Sequence, residues 1–517
     1  MMRIVILACL MALVTCVGAE TSIVESVREF QADFTRDNAP ERLNVDIPVS
    51  IDFSQARAVA FEFGCEDLQT FSHFSLYFRS GKGWYATTFT PHVEGKTERL
   101  VIPLKNFGQE GEPDGWNSVS ALRFSAWNGA PNKCTVTFGK VRAVDRDEAD
   151  SSVEKKDTPE YRRRIAARIS RMSPRANERR LAWCHSPWGL GDNRSWDESV
   201  RFLKESGFTD LIVNMAWGGS ACYDSKVLAR AADSVGKSDV FGECLTACRN
   251  HGVKMHVWKV CWHTWWHKLP KEVEATYRAE GRLQTRKGGP SKEAWLCPSN
   301  PRNQEQEIAA MCELADLGVD GVHYDYIRYP GYDCCFCEGC HERFERVIGF
   351  KVGCWPEILQ GDKVLRSKWE DFRAANISAV VGSVAEKIRT RRPRTEISAA
   401  VMRNAPQDRI AVAQDWGRWC REGWLDFVCP MDYTESAIMF RGHLRRQKAQ
   451  VAGIRFYPGI GMSCWQEDGG DAERFAEQLE TLREEGCEGF AVFDFDRRAE
   501  VLFPLLRGGP LADRKTH

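Results

Sequence analysis

An excess of either charge is what this 517-residue sequence most plainly lacks: Lys and Arg total 71 against 72 for Asp and Glu, a formal net of -1. Without a basic surplus the chain has little with which to displace counterions from a phosphate backbone, which argues against nucleic acid as a partner. Long apolar runs are missing too. After the first twenty residues none reaches the roughly 18 needed to cross a bilayer, so no transmembrane segment is expected. Two familiar catalytic signatures are absent. His263 and His267 stand four apart, but no Glu follows His263 as a zinc-protease helix requires, and VGKS at 235–238 lacks the leading Gly of a phosphate loop. Disorder and a small stapled scaffold are excluded by a hydrophobic fraction of 43% and a length sufficient for two or three cores.

What is present begins with an export signal. Arg3 precedes an apolar run from Ile4 to Val14, and Val17 and Ala19 hold the -3 and -1 positions of a cleavage site, so residues 1–19 read as a secretory signal peptide. The mature chain is therefore expected to be secreted or periplasmic. The competing reading, a lipoprotein anchored at Cys16, puts Thr15 where Ala or Gly is usual. Of the 20 cysteines, two lie in this signal and most others are scattered singly through apolar segments; Cys184, Cys312 and Cys429 look like buried positions.

Residues 20–145 carry short β-rich runs between turn clusters: 47–53, 58–65, 74–79, 84–89, 99–104, 121–127 and 134–144. That rhythm predicts an N-terminal all-β sandwich, with Cys65 and Cys134 expected to form a disulfide in an oxidising compartment. Residues 146–179 are dense in charge and include YRRRIAARISRM, read as a solvated linker helix. From 180 to 508 short strands alternate with longer amphipathic stretches. Eight candidate strands, at 181–185, 210–217, 254–262, 321–329, 396–402, 427–433, 456–462 and 489–495, describe an α/β fold of the (β/α)8 TIM-barrel type, with 509–517 as a tail.

In such a barrel, function gathers at the C-terminal ends of the strands. Those ends supply Asn214 and Trp217, then His256, Trp258 and Trp262, then His323, Asp325, Arg328 and Tyr329, and later Asp432, Tyr433 and Asp494. Alternation within GVHYDYIRY sends His323, Asp325 and Ile327 to one side, aiming Asp325 at the axis, with Arg328 or His323 to offset its buried charge. Trp217, Trp258, Trp262, Trp265 and Trp266 are stacking candidates at these ends.

The segment GVDGVHYDYIRYPG (318–331), preceded by WLCPSNPRNQEQ (295–306), resembles the strand-four region of glycosyl-hydrolase-like family 10, a family of secreted bacterial proteins. NMAWGGSACYDSKV (214–227), HGVKMHVWKV (251–260), WEDFRAANISAVVGSVAEKIR (369–389), DWGRWCREGWLDFVCPMDY (415–433) and GCEGFAVFDF (486–495) are similar to other blocks of that family in the same order. The resemblance implies a glycan-cleaving barrel with Asp325 as an active-site carboxylate. This chain carries Asp432 where family members tend to have Gln, so its set of acids differs. Glycoside hydrolysis uses two carboxyl groups, and Asp325 with Asp432 is the expected catalytic pair: Asp325 as nucleophile or charge stabiliser, Asp432 as general acid or else a sugar-hydroxyl ligand, with Asp494 in reserve. The expected substrate-binding set is Asn214, Trp217, His256, Trp258, Trp262, His323, Arg328, Tyr329, Tyr433 and Asp494.

Cys335, Cys337 and Cys340 follow strand four too closely spaced to pair only with one another, and Cys297 completes a four-thiolate set for a structural zinc. CPSNP with the later C-x-C-x2-C resembles the zinc site of family 42 β-galactosidases; disulfides involving Cys334 are the competing reading. The overall expectation is an exported glycoside hydrolase acting on a polysaccharide or cell-wall glycan. Its alternatives are a non-catalytic glycan-binding or scaffold barrel, and a barrel hydrolase with a catalytic zinc. The sandwich resembles carbohydrate-binding modules, with Trp84, Trp116 and Trp127 as exposed-aromatic candidates, or is a purely structural domain.

Overall fold

The computed structural model describes residues 22–36, 39–145, 158–191, 194–265, 268–287, 289–290, 294–464 and 472–512. The expected signal, Cys16, Trp266 and His267 lie outside these residues. The chain forms two compact units, residues 1–162 with 434–443 and residues 163–433 with 444–517.

The first unit holds two antiparallel sheets. One has four strands, in the order Ser22–Asp33, Lys133–Val144, Ala58–Cys65 and Thr97–Pro103. The other has five, in the order Arg42–Ile51, Val119–Asn128, Phe71–Ser80, Lys82–Phe89 and Gly108–Glu112. Alternation drives their packing: Phe61 and Phe63 of one sheet meet Phe74, Phe89 and Phe124 of the other, with ring centroids 4.8–6.0 Å apart. Trp116 belongs to this core rather than to the surface. It stacks on Tyr85 at 4.0 Å and meets Phe53, Phe78 and Phe107 edge-on. Cys65 and Cys134 correct a second expectation: both are free thiols, buried on neighbouring strands, not a disulfide.

The second unit is a TIM barrel of parallel strands. They run Arg179–Cys184, Asp210–Ala216, Lys254–Val260, Gly321–Asp325, Glu396–Val401 and Phe427–Pro430, then a divided seventh strand, and finally Gly489–Phe493. The seventh is cut by Pro458, which has no N–H to give the ladder. Its first half, Arg455–Phe456, pairs with strand six, and its second half, Gly459–Ile460, pairs with strand eight, so one short segment closes the ring. Helices such as Trp196–Glu205 and Val240–His251 fill the crossovers. A Ser195–Glu198 capping box starts the first, and Gly252, at φ 62°, ends the second in the left-handed conformation that glycine adopts without cost. The helix Pro159–Arg171 is not a solvated linker. Ile165 and Ile169 are buried, and Arg168 bridges to Glu477 and Glu480 of the helix Ala472–Glu484.

Side chains fill the barrel in layers. At the N-terminal end Arg179 bonds Asp210 and Glu396, with His256 3.1 Å from Asp210. One layer up, Trp183 Nε1 donates to His323 Nε2 at 3.0 Å, which leaves His323 Nδ1 to donate to Ser398 Oγ at 2.8 Å. The layer above opens at the C-terminal mouth.

Candidate active site at the strand ends

Asp325 is the last residue of strand four and lies two positions beyond His323, so the same alternation turns it inward at the mouth. It is 5% exposed, and its Oδ1 accepts from Tyr326 N at 2.7 Å. Burial pushes its carboxyl up to about 6, opposed by the nearby Arg328 guanidinium. Neither expected partner ion-pairs with it: His323 is engaged with Trp183 and Ser398, and Arg328 lies 4.7 Å over the Tyr326 ring.

Asp494 follows strand eight directly. Its backbone N–H donates to Ser463 Oγ at 2.7 Å, and its carboxylate accepts from the His185 backbone N–H. Burial, with Asp496 adding like charge, raises this carboxyl to about 8. Tyr433, just beyond strand six, stacks its ring on Phe493 at 5.3 Å and 20°, and its phenol feels the charge of Cys464, Asp325 and Asp494. The neighbouring Asp432 faces the other way. Its Oδ1 accepts from Gln447 Nε2 at 2.6 Å, Arg403 lies near, and it is fully buried, which raises it to about 7. Of the two neighbours it is Tyr433, not Asp432, whose side chain lies in the field of Asp325 and Asp494.

Aromatic rings wall the mouth. His185 lies 5.5 Å from Trp258 and 5.2 Å from Trp265, and Tyr326 stacks on His263 at 5.5 Å with Trp295 4.8 Å beyond. The Trp258 indole N–H is directed at the Asp325 carboxylate and, with Arg328, opposes the upward push of burial. Beside Asp494 opens a cleft of about 580 Å³ lined by His185, Trp188, Arg194, Lys237 and Arg497 among others, with Lys237 Nζ 3.9 Å over the Trp188 ring.

Several expected ligands lie elsewhere. His256 sits at the opposite end of the barrel, because it is only the third residue of its strand. His323 is one layer below the mouth. Asn214 donates to Trp258 O at 3.1 Å inside the barrel. Trp217 is buried under Lys268, whose Nζ is 4.4 Å from its ring, and Trp262 is fully buried in a turn at φ 62°. Tyr329 packs behind the sheet under Arg373, 4.5 Å away. Conversely, His185, Trp295 and Tyr326 were not singled out as ligands. His185 had a usable signal, as the last residue of a strand run. Tyr326 did not: alternation points it outward, and only the left-handed turn at φ 52° brings it to the wall.

The four cysteines do converge. The Sγ atoms of Cys297, Cys335, Cys337 and Cys340 all lie within 4.8 Å of one another, with Cys297 3.3 Å from Cys340 and 3.9 Å from Cys337. A tetrahedral ion with bonds of about 2.3 Å sets sulfurs about 3.8 Å apart, so the cage has metal-site dimensions. Every cysteine among the described residues is a free thiol, so the disulfide alternative is not realised. Arg343 adds a cation, its Nη2 3.9 Å from Cys297 Sγ. The second grouping of ligand type, Asp210, His256 and Glu396, is already filled by Arg179.

No curated protein matches the chain. Among solved structures, an exo-β-agarase shares 8% identity, with 95% of this chain and 96% of that one covered and a TM-score of 0.48. The catalytic domain of β-amylase from Paenibacillus polymyxa shares 13%, covering 65% and 96%, with a TM-score of 0.46. α-L-Fucosidase isoenzyme 2 from Paenibacillus thiaminolyticus shares 13%, covering 64% of this chain with a TM-score of 0.46; this chain spans 48% of its length. The model of the family glycosyl hydrolase-like 10 matches residues 176–455, more than half of the sequence, from just before the first barrel strand to the seventh. The chain belongs to the glycosyl hydrolase-like 10 family.

Proposed function

We propose that this protein is an exported glycoside hydrolase whose catalytic acids are Asp325 and Asp494. The observation that carries the reading is that Asp325 ends strand four and Asp494 directly follows strand eight, two buried carboxyl groups at the same end of the barrel beside an aromatic wall. Two carboxyls on one mouth, one held up to about 6 and the other to about 8, divide the labour of glycoside cleavage. At neutral pH Asp494 keeps its proton and acts as general acid, passing it to the departing glycosidic oxygen as the bond to the anomeric carbon breaks. Asp325 is ionised and attacks that carbon or activates a water. Tyr433, whose phenol senses both, steadies the charge that develops on them. Trp258, Trp265 and Tyr326 offer apolar faces to the sugar rings, and the Trp258 N–H orients the Asp325 carboxylate. Asp432 acts at one remove, fixing Gln447 and the segment that carries Tyr433.

Zinc suits the four-cysteine cage, because all-thiolate ligation completes a tetrahedral shell and leaves no position for water. Bound there, the ion supplies structural crosslinking, not catalysis. Cys297 and Cys340 sit on segments flanking Trp295 and the loop after Asp325, so the cage steadies the aromatic wall. The export half of the proposal rests on the apolar run and small residues of 1–19.

The test is product release from a panel of polysaccharides, including peptidoglycan, by the intact protein, Asp325→Asn and Asp494→Asn. Reducing-end release that falls about a thousandfold in either variant is the expected result. Glycan binding with no product from the intact protein points instead to a scaffold that has kept the barrel.

A further inference from the structure

The five-stranded sheet of the N-terminal unit has one side in the sandwich core and the other outside it. Phe74, Leu76 and Phe78 enter the core, so Ser75, Tyr77 and Arg79 line the outer side. The same alternation sets Arg42 and Asp46, Arg123 and Trp127, and Trp84 on that side, the first two strands lying to one side of Phe71–Ser80 and the third to the other.

These side chains make one connected layer. Arg42 lies 4.5 Å over the Trp127 ring and donates from Nη1 to the Tyr77 hydroxyl at 3.2 Å. Trp127 Nε1 donates to the buried Ser75 Oγ at 3.0 Å, and His73 stacks on the indole at 4.6 Å. Arg123 lies 4.7 Å over Trp84 and grips Asp46 through two hydrogen bonds of 2.6 and 2.9 Å. Arg79 stands 6.0 Å from the Trp84 ring. Stacking on the rings fixes the guanidinium groups before any ligand arrives, which lowers the entropy cost of binding. Arg123 has Asp46 as its counterion, whereas Arg42 only feels Asp46 at a distance and, among the described residues, neither Arg42 nor Arg79 forms an ion pair. The far edge adds Glu110 opposite Trp84 and the facing pair Lys82 and Glu112. Four cations (Arg42, Arg79, Lys82, Arg123) thus face three anions (Asp46, Glu110, Glu112), with the uncompensated ones held on indole rings.

We propose that this side of the sheet binds an acidic polysaccharide, with carboxylate or sulfate groups accepted by Arg42 and Arg79 and a sugar ring against half-exposed Trp84. From the strand of Arg42 to that of Trp84 is three strand intervals, about 14 Å, the reach of a short oligosaccharide. The site is independent of the barrel's chemistry.

Native electrophoresis of the full chain through gels holding polygalacturonate, dextran sulfate or uncharged dextran tests it. Retardation is expected in at least one acidic gel and not in dextran, and which acidic gel retards the protein tells carboxylate from sulfate. Arg42→Gln with Arg79→Gln, and separately Trp84→Ala, should weaken the apparent affinity about tenfold or more, equivalent to ~1.4 kcal/mol. Asp325→Asn should leave it unchanged, as should the exposed control Arg394→Gln. The proposal is overturned by equal retardation in dextran, by no retardation in either acidic gel, by Arg394→Gln weakening binding as much as the paired variant, or by unchanged binding in both site variants with native thermal melts.

Discussion

Asp432 and Tyr433 are adjacent in sequence and opposed in space, and that opposition decides which of the two faces the strand ends of Asp325 and Asp494. The Asp432 carboxyl is fully buried, and burial raises it to about 7 despite the Gln447 hydrogen bond. A carboxyl raised on folding stabilises the protein below its unfolded value near 4, and that stability is lost as pH rises through about 7. Asp432→Asn keeps an oxygen for Gln447 and removes the charge. Its stability should therefore pull ahead of the parent between pH 4 and 7 and hold a lead on the order of 4 kcal/mol above that, with the melting temperature following. Thermal melts at pH 5 and pH 8 measure this; equal leads at both would count against a buried, ionising Asp432. Asp325 and Asp494 were legible from their positions at strand ends, with Asp494 only in reserve. That Tyr433 rather than Asp432 turns toward them was not, since no local pattern tells which of two neighbours turns inward after a strand ends.

At the scale of elements, the strand-four loop is held by a cage rather than by its own secondary structure. The cage residues come from the segment before the helix Pro301–Asp316 and from the start of the helix Glu338–Ile348. Zinc content measured on the purified protein should be about one ion per chain, and Cys337→Ser should lower both the melting temperature and the metal content. Two disulfides per chain and no metal by mass measurement would contradict the cage. Its composition was readable from spacing because four thiols within one short stretch and its neighbour have few other uses. The edge strands Ser22–Asp33 and Gly108–Glu112 were not readable: the first carries charged residues throughout, the second is GQEGE with every residue exposed, and neither shows apolar alternation. The divided seventh strand was read as one run because its apolar residues continue through Pro458.

At the scale of the whole molecule, the barrel is legible because eight strand-helix alternations leave few other architectures, but the depth of each residue inside it is not. His256 was expected at the mouth and lies at the floor, since a strand's apolar run does not mark where the layers fall. There Arg179 joins Asp210 and Glu396. Against the penalty of burial, Arg179 and its neighbours hold Glu396 down to about 2 and Asp210 below the ordinary carboxylate range. Depressed carboxyls stabilise above their unfolded values near 4 and lose that contribution as pH falls toward about 2. Arg179→Met should flatten this acid transition and destabilise the fold at pH 7 by about 2–4 kcal/mol, because it leaves the buried Asp210 with His256 and Thr209 alone and the half-buried Glu396 with Arg455. Acid titrations followed by circular dichroism read both effects, and an unchanged transition would remove the network from the account.

The most direct measurement is the pH dependence of kcat/KM on whichever glycan the panel identifies. The assignment of Asp325 as the ionised group and Asp494 as the protonated one predicts a bell with limbs near pH 6 and pH 8, and loss of the alkaline limb in Asp494→Asn. An alkaline limb that survives in Asp494→Asn and disappears in Asp432→Asn would contradict it.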